Sequence, residues 1–278
     1  MNNPLIKAVI ALAVALYIVF SIPVFVMAGL LLIHGETCQG RLFAIAVIVP
    51  LPVPVLMWFI TYYIKRKQVY LISATTLIIL SILLLGINYA ITPDGLPLPN
   101  SPVRSCFTGA SSYQRTSMAN MVPEMDQLIL ATYVIPSMDV LMDKPHTSEL
   151  RNQIRAVYGE MRRNPEFESL NSVLGQTYRQ LFLGKPTVGH FYEYIPANKQ
   201  GCLPVVIFLH GSFGNLKGYL WVWKRIADEY GFTIVAPTFG MGNWESPGGD
   251  KVIEEALRYC TSHPRMDSSR VYLAGLST

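Results

Sequence analysis

Val271-Tyr272-Leu273-Ala274-Gly275-Leu276-Ser277-Thr278 is an apolar burst that runs into Gly-x-Ser. Its β-branched and aromatic content reads as a strand. The glycine permits a strained turn from strand to helix, which would lift the Ser277 hydroxyl above a sheet edge. Working back along the chain, similar bursts recur at Thr233–Pro237, Pro204–Leu209 and Phe191–Ile195. Helical spacing separates the last three bursts, over Tyr219–Tyr230 and Gly249–Thr261. Alternation of strand and helix implies a parallel sheet with right-handed crossovers, covered on both faces.

A second motif follows the strand that ends at Leu209: His210-Gly211-Ser212-Phe213-Gly214-Asn215. Its glycines let the backbone turn sharply and aim amides at one point, which is what stabilising a developing oxyanion requires. A His-Gly pair after a strand is weak evidence alone. Two such motifs in this order, with the right elements between them, are specific.

Together with Met266-Asp267-Ser268-Ser269-Arg270 leading into the strand, residues 189–278 resemble the α/β-hydrolase superfamily. The likeness is to the branch that holds polyhydroxybutyrate-depolymerase-like esterases, feruloyl esterases and prolyl-oligopeptidase-type peptidases. The resemblance implies that Ser277 is the nucleophile and that the backbone N–H groups of Ser212 and Thr278 form the oxyanion hole, with Gly211 and Gly275 making the turns. It implies a structural His210, whose ring ties down the loop. The family's acid and histidine follow the serine in chain order, so this chain is expected to be a C-terminally truncated portion, inactive by itself because a serine hydroxyl without a base is a poor nucleophile. Asp250 reads as a helix cap and Asp267 as a turn residue, so neither supplies the acid.

Two functions follow. One is a membrane-anchored serine hydrolase acting on an ester or a peptide. The alternative is a non-catalytic membrane protein whose half-domain is vestigial or a scaffold. Substrate choice is not legible, because fold does not dictate chemistry in this superfamily. No cofactor is expected, and no Cys/His cluster has the spacing of a metal site.

Apolar residues make up 51% of the chain and charged ones only 14%, too greasy for an ordinary soluble domain. Residues 8–33, 42–64 and 68–91 carry no Asp, Glu, Lys or Arg. Each run can cross a hydrocarbon core of roughly 30 Å as a helix. A signal peptide would have a shorter apolar core and a small-residue cleavage site, which the first run lacks. Pro50, Pro52 and Pro54 sit inside the second run, so that helix should be kinked or unwound, with its freed carbonyls covered by neighbours.

Lys65, Arg66 and Lys67 between the second and third runs place that loop in the cytoplasm. The N-terminus is then cytoplasmic and everything after Ile91 lies outside, across a plasma or inner membrane. The remaining charges balance, so the net charge of +4 calls for no nucleic acid, and the expected partners are the bilayer and a small ester or peptide.

The expected organisation is a transmembrane domain over 1–91, a Pro/Ser-rich linker over 92–123, a helical connecting region over 124–188 and the half-hydrolase over 189–278. Within the third part, Ile154, Val157, Tyr158 and Met161 share one helical face. Cys38, Cys106, Cys202 and Cys260 all fall on the oxidising side of that topology, which suggests the pairs Cys38–Cys106 and Cys202–Cys260.

Overall fold

The structure, a computed structural model, describes residues 4–60, 67–93, 95, 98–107, 118–137, 144–184 and 189–276. It divides into two compact units, Met1–Ile91 with Asp126–Asp143, and Thr92–Met125 with Lys144–Thr278.

The first unit holds α1 (Pro4–His34), α2 (Cys38–Ile48), α3 (Val53–Phe59) and α4 (Lys67–Ile91). Three helical stretches, Ala8–His34, Cys38–Phe59 and Tyr70–Ile91, are long and apolar enough to cross a membrane. The middle one starts before the uncharged run because Thr37 caps it, its hydroxyl oxygen accepting the Gly40 amide at 2.9 Å. It breaks between Ile48 and Val53, where prolines remove backbone donors. The Tyr17 hydroxyl covers the loosened Leu51 carbonyl at 2.8 Å. Asn88 donates to the Gln39 carbonyl at 2.7 Å, bringing the end of α4 beside the start of α2.

Asp126 belongs to this unit. It accepts the Glu36 amide at 2.7 Å and the Thr37 hydroxyl, and Gly40 is small enough to let its carboxylate approach. His34 and Tyr133 stack with ring centroids 4.2 Å apart.

The second unit is built on a five-stranded sheet: β1 (Val103–Phe107), β2 (His190–Tyr194), β3 (Leu203–Leu209), β4 (Thr233–Pro237) and β5 (Met266–Gly275), in the order β1-β2-β4-β3-β5. β4, β3 and β5 are parallel, as the alternating pattern implies. The sheet as a whole is mixed, because β1 and β2 run antiparallel to their neighbours. Strand direction is set by the path between strands, and a buried strand such as β2 has the same composition either way. β1 corrects the reading of 92–123 as linker: Val-Arg-Ser-Cys-Phe lacks an apolar run because an edge strand needs only partial cover, and its partner lies more than 80 residues further on.

Helix α11 (Gly249–Ser262) packs on the sheet face that presents Val205, Ile207 and Leu209, with Ala256 and Cys260 in that core. Alternation along β3 puts Phe208 on the other face, against Tyr219 and Trp223 of α10 (Lys217–Tyr230). Gly248 precedes α11 at φ 102°, so Asp250 sits in the first turn rather than at the cap.

The amphipathic stretch becomes α7 (Lys144–Met161), which buries Ile154, Tyr158 and Met161. Two short helices, α5 (Met118–Met121) and α8 (Pro165–Glu168), lie before and after it in sequence. α10 has no capping side chain of its own. Glu124, at the start of α6 (Glu124–Val134), substitutes: it accepts the Gly218 amide at 3.4 Å and the Tyr158 hydroxyl. Lys217 is buried beside it, its Nζ on the Leu170 carbonyl at 2.8 Å. Burial drives the Glu124 carboxyl up, opposed by the Lys217 charge, and drives Lys217 down, opposed by Glu124.

All four cysteines are free thiols, so neither expected disulfide is present. Cys202 is exposed and points its thiol at the Pro264 carbonyl, 3.3 Å away, whereas Cys260 is buried in the sheet core. Burial pushes the Cys106 thiol up to about 12 and Cys260 to about 11, so both stay protonated at neutral pH.

Candidate active site

Both motifs leave the sheet at one end. In the parallel register of β3 and β5, Phe208 lies opposite Ala274 and Leu209 opposite Gly275, and the Leu276 amide donates to the Leu209 carbonyl at 3.1 Å. The His210–Asn215 loop and the Gly275-Leu276 turn therefore emerge from adjacent strands. Ser277 and Thr278 lie outside the described residues. Upstream, Asp267 forms the expected turn, accepting the Ser269 hydroxyl at 2.6 Å, the Arg270 Nε at 2.6 Å and the Ser269 amide at 3.0 Å, and these bonds hold its carboxyl at about 2.

His210 is locked. Its Nε2 accepts the Phe239 amide at 3.1 Å, so the ring proton sits on Nδ1, which donates to the Gly211 carbonyl at 2.8 Å. Both nitrogens are committed, and burial lowers the ring to about 4. A neutral ring with no unused lone pair cannot take a proton from a serine. The Trp244 indole N–H adds a bond to the His210 carbonyl at 2.9 Å.

The loop's shape depends on close backbone approach. Gly214 adopts φ +89° and donates to the Gly211 carbonyl at 3.0 Å, closing a turn that leaves Ser212 and Phe213 exposed. A Cβ on Gly242 would meet the carbonyl oxygens of His210 and Gly211 at 2.7 and 2.8 Å, and backbone cannot step aside as a side chain can.

Beneath the loop runs a directional chain of buried hydrogen bonds. Asn215 Nδ2 donates to Thr238 Oγ1 at 2.8 Å, leaving the Thr238 hydroxyl to donate to His190 Nδ1 at 2.7 Å. His190 Nε2 then carries the proton toward Ser105 Oγ at 2.9 Å, and Ser105 donates to Asn171 Oδ1 at 3.3 Å. Burial lowers His190 to about 3, so it too is neutral. Helix α9 (Leu174–Leu183) clamps the neighbouring loop: Thr177 Oγ1 donates to the Gly240 carbonyl at 2.8 Å, and Gln180 Oε1 accepts the Met241 amide at 2.6 Å.

Asn215, Thr238, His190, Thr177 and Gln180 carry no local sequence signal, because each is defined by a partner dozens of residues away. Among the described residues no three His, Cys, Asp or Glu side chains come together as metal ligands would.

No family model and no curated protein matches the chain. Four solved chains match it. One is a crystal structure of a mutant of the esterase rPPE, similar over 54% of this chain and 47% of that one, at 19% identity and a TM-score of 0.29. This is a weak likeness to a hydrolase, and this chain spans about half of that esterase's length.

Proposed function

We propose that this chain is part of a membrane-anchored serine hydrolase that cleaves an ester or a peptide outside the cytoplasm. Ser277 is its nucleophile, and the amides of Ser212 and Thr278 are its oxyanion donors. The carrying observation is the register that puts Leu209 opposite Gly275. It brings the glycine loop and the turn leading to Ser277 out of adjacent parallel strands at one end. In this reading Ser277 Oγ attacks the carbonyl carbon as its proton passes to a general-base histidine, which the superfamily's chain order places after the serine. The carbonyl π electrons move onto the oxygen as negative charge, and the two amides stabilise it. His210 positions the loop and takes no proton.

A fluorophosphonate probe tests this on protein expressed from its natural reading frame. Such probes capture a base-activated serine beside aimed amides. Labelling is expected, and Ser277→Ala should abolish it and cut turnover by several orders of magnitude, leaving on the order of 10³–10⁴-fold catalysis over water. Labelling that survives Ser277→Ala, or none in the folded parent, would overturn the assignment.

A further inference from the structure

Helix α9 is amphipathic in the inverted sense. Its polar side chains face the protein: Gln176 and Thr177 are buried, and Thr177 and Gln180 hold the Gly240-Met241 backbone. Leu174 is buried with them, but the large apolar side chains after it face outward, with Tyr178 39%, Leu181 57%, Phe182 78% and Leu183 63% exposed. Tyr178, Leu181 and Phe182 lie three and four residues apart, on one face. Phe213 is a further exposed ring, 54% accessible, and it precedes Gly214, against which Thr177 and Leu174 of α9 are packed. A cluster of exposed large apolar side chains on one helix face marks an interaction site.

We infer that this face of α9 docks on the surface of a lipid bilayer. Three features of the chain choose that occupant. The same polypeptide holds three helices long and apolar enough to cross a membrane, so this unit is always tethered to a membrane-associated segment. No Asp or Glu occurs between Glu168 and Glu193, whereas Arg179 and Lys185 are present, the charge sign that anionic headgroups attract. The outward residues, an aromatic with a polar tip beside Leu, Phe and Leu, are those that settle at the boundary between headgroups and acyl chains. Because α9 also grips the Gly240-Met241 backbone and lies against Gly214, docking brings those loops to the lipid surface. The inference does not depend on the hydrolase reading.

The test uses the whole chain reconstituted in phosphatidylcholine–phosphatidylglycerol vesicles. Phe182→Trp replaces a side chain exposed enough to be changed without disturbing the fold, and Tyr230→Trp, at a site 72% exposed on α10, is the control. Subtracting the emission of the parent protein isolates each added indole from the four native tryptophans. Acyl chains brominated near the headgroup should quench the indole at 182 and spare the one at 230, and aqueous iodide should do the reverse. Adding Leu181→Asp to the Phe182→Trp protein should abolish the lipid quenching. Two outcomes would overturn the inference: iodide quenching at 182 equal to that at 230, or protection at 182 from both quenchers, as cover by a second copy or another protein would give.

Discussion

At the scale of single residues, His210 and His190 are buried rings kept neutral, at about 4 and about 3. The unfolded chain binds these protons near pH 6.5, so between pH 6.5 and 4 the unfolded state holds more protons than the folded one. Stability is therefore complete above pH 6.5 and falls as the pH drops. Each ring contributes a slope of about 1.4 kcal/mol per pH unit at most. Denaturant unfolding in detergent should show this acid limb through tryptophan emission, since Trp221, Trp223 and Trp244 lie in the sheet-containing unit. His210→Asn should remove about half the slope between pH 6 and 4.5. An unchanged slope would mean that His210 is not kept neutral in the fold.

At the scale of elements, two helices depend on residues that lie outside them. The start of α10 rests on Glu124, whose charge is matched by Lys217 in a buried setting. Removing one partner leaves a buried charge uncompensated, so Glu124→Gln should cost about 3–5 kcal/mol in denaturant unfolding. Adding Lys217→Met should restore much of that loss, whereas additive losses would show that the pair is not coupled. In the middle apolar helix the proline break leaves the Leu51 carbonyl to Tyr17. Tyr17→Phe should lower stability in detergent by about 0.6 kcal/mol, and by no more than about 1.7, the range found for hydrogen bonds between membrane helices. A loss of 3 kcal/mol or more would show that the hydroxyl does more than cover one carbonyl.

At the scale of the whole molecule, three helices are long and apolar enough to cross a membrane, and the loop charges carry the prediction of sidedness. With Lys65, Arg66 and Lys67 held in the cytoplasm, a reporter enzyme fused after Ile91 should be active only outside it. Cytoplasmic labelling of a cysteine placed near residue 120 would reverse both the topology and the site of action. β5 bears on handling as well. Tyr272 and Leu273 are 58% and 62% exposed, and among the described residues β5 pairs with β3 alone, so this chain should self-associate through that edge unless it is covered.

Some of this was legible from residue order because it depends on short-range periodicity. A long uncharged apolar run forms a helix able to cross lipid wherever its neighbours lie, so three helices of that length and apolarity could be read directly, and the proline cluster marked where the second one breaks. The apolar bursts of β3, β4 and β5, separated by helical spacing, likewise declared their type and mutual direction, and with them the edge at which the two glycine motifs meet. Tertiary structure alone decided what depends on distant partners. The direction of β2 and the existence of β1 follow from a pairing that no local pattern encodes, since an edge strand with one covered face looks like loop. Tyr133 meets His34 across 99 residues, Gly218 meets Glu124 across 94, and His190 meets Ser105 across 85. The cysteines make the same point: spacing and compartment suggested two disulfides, but a bond needs converging side chains, and the fold turns Cys202 to the surface and Cys260 into the core.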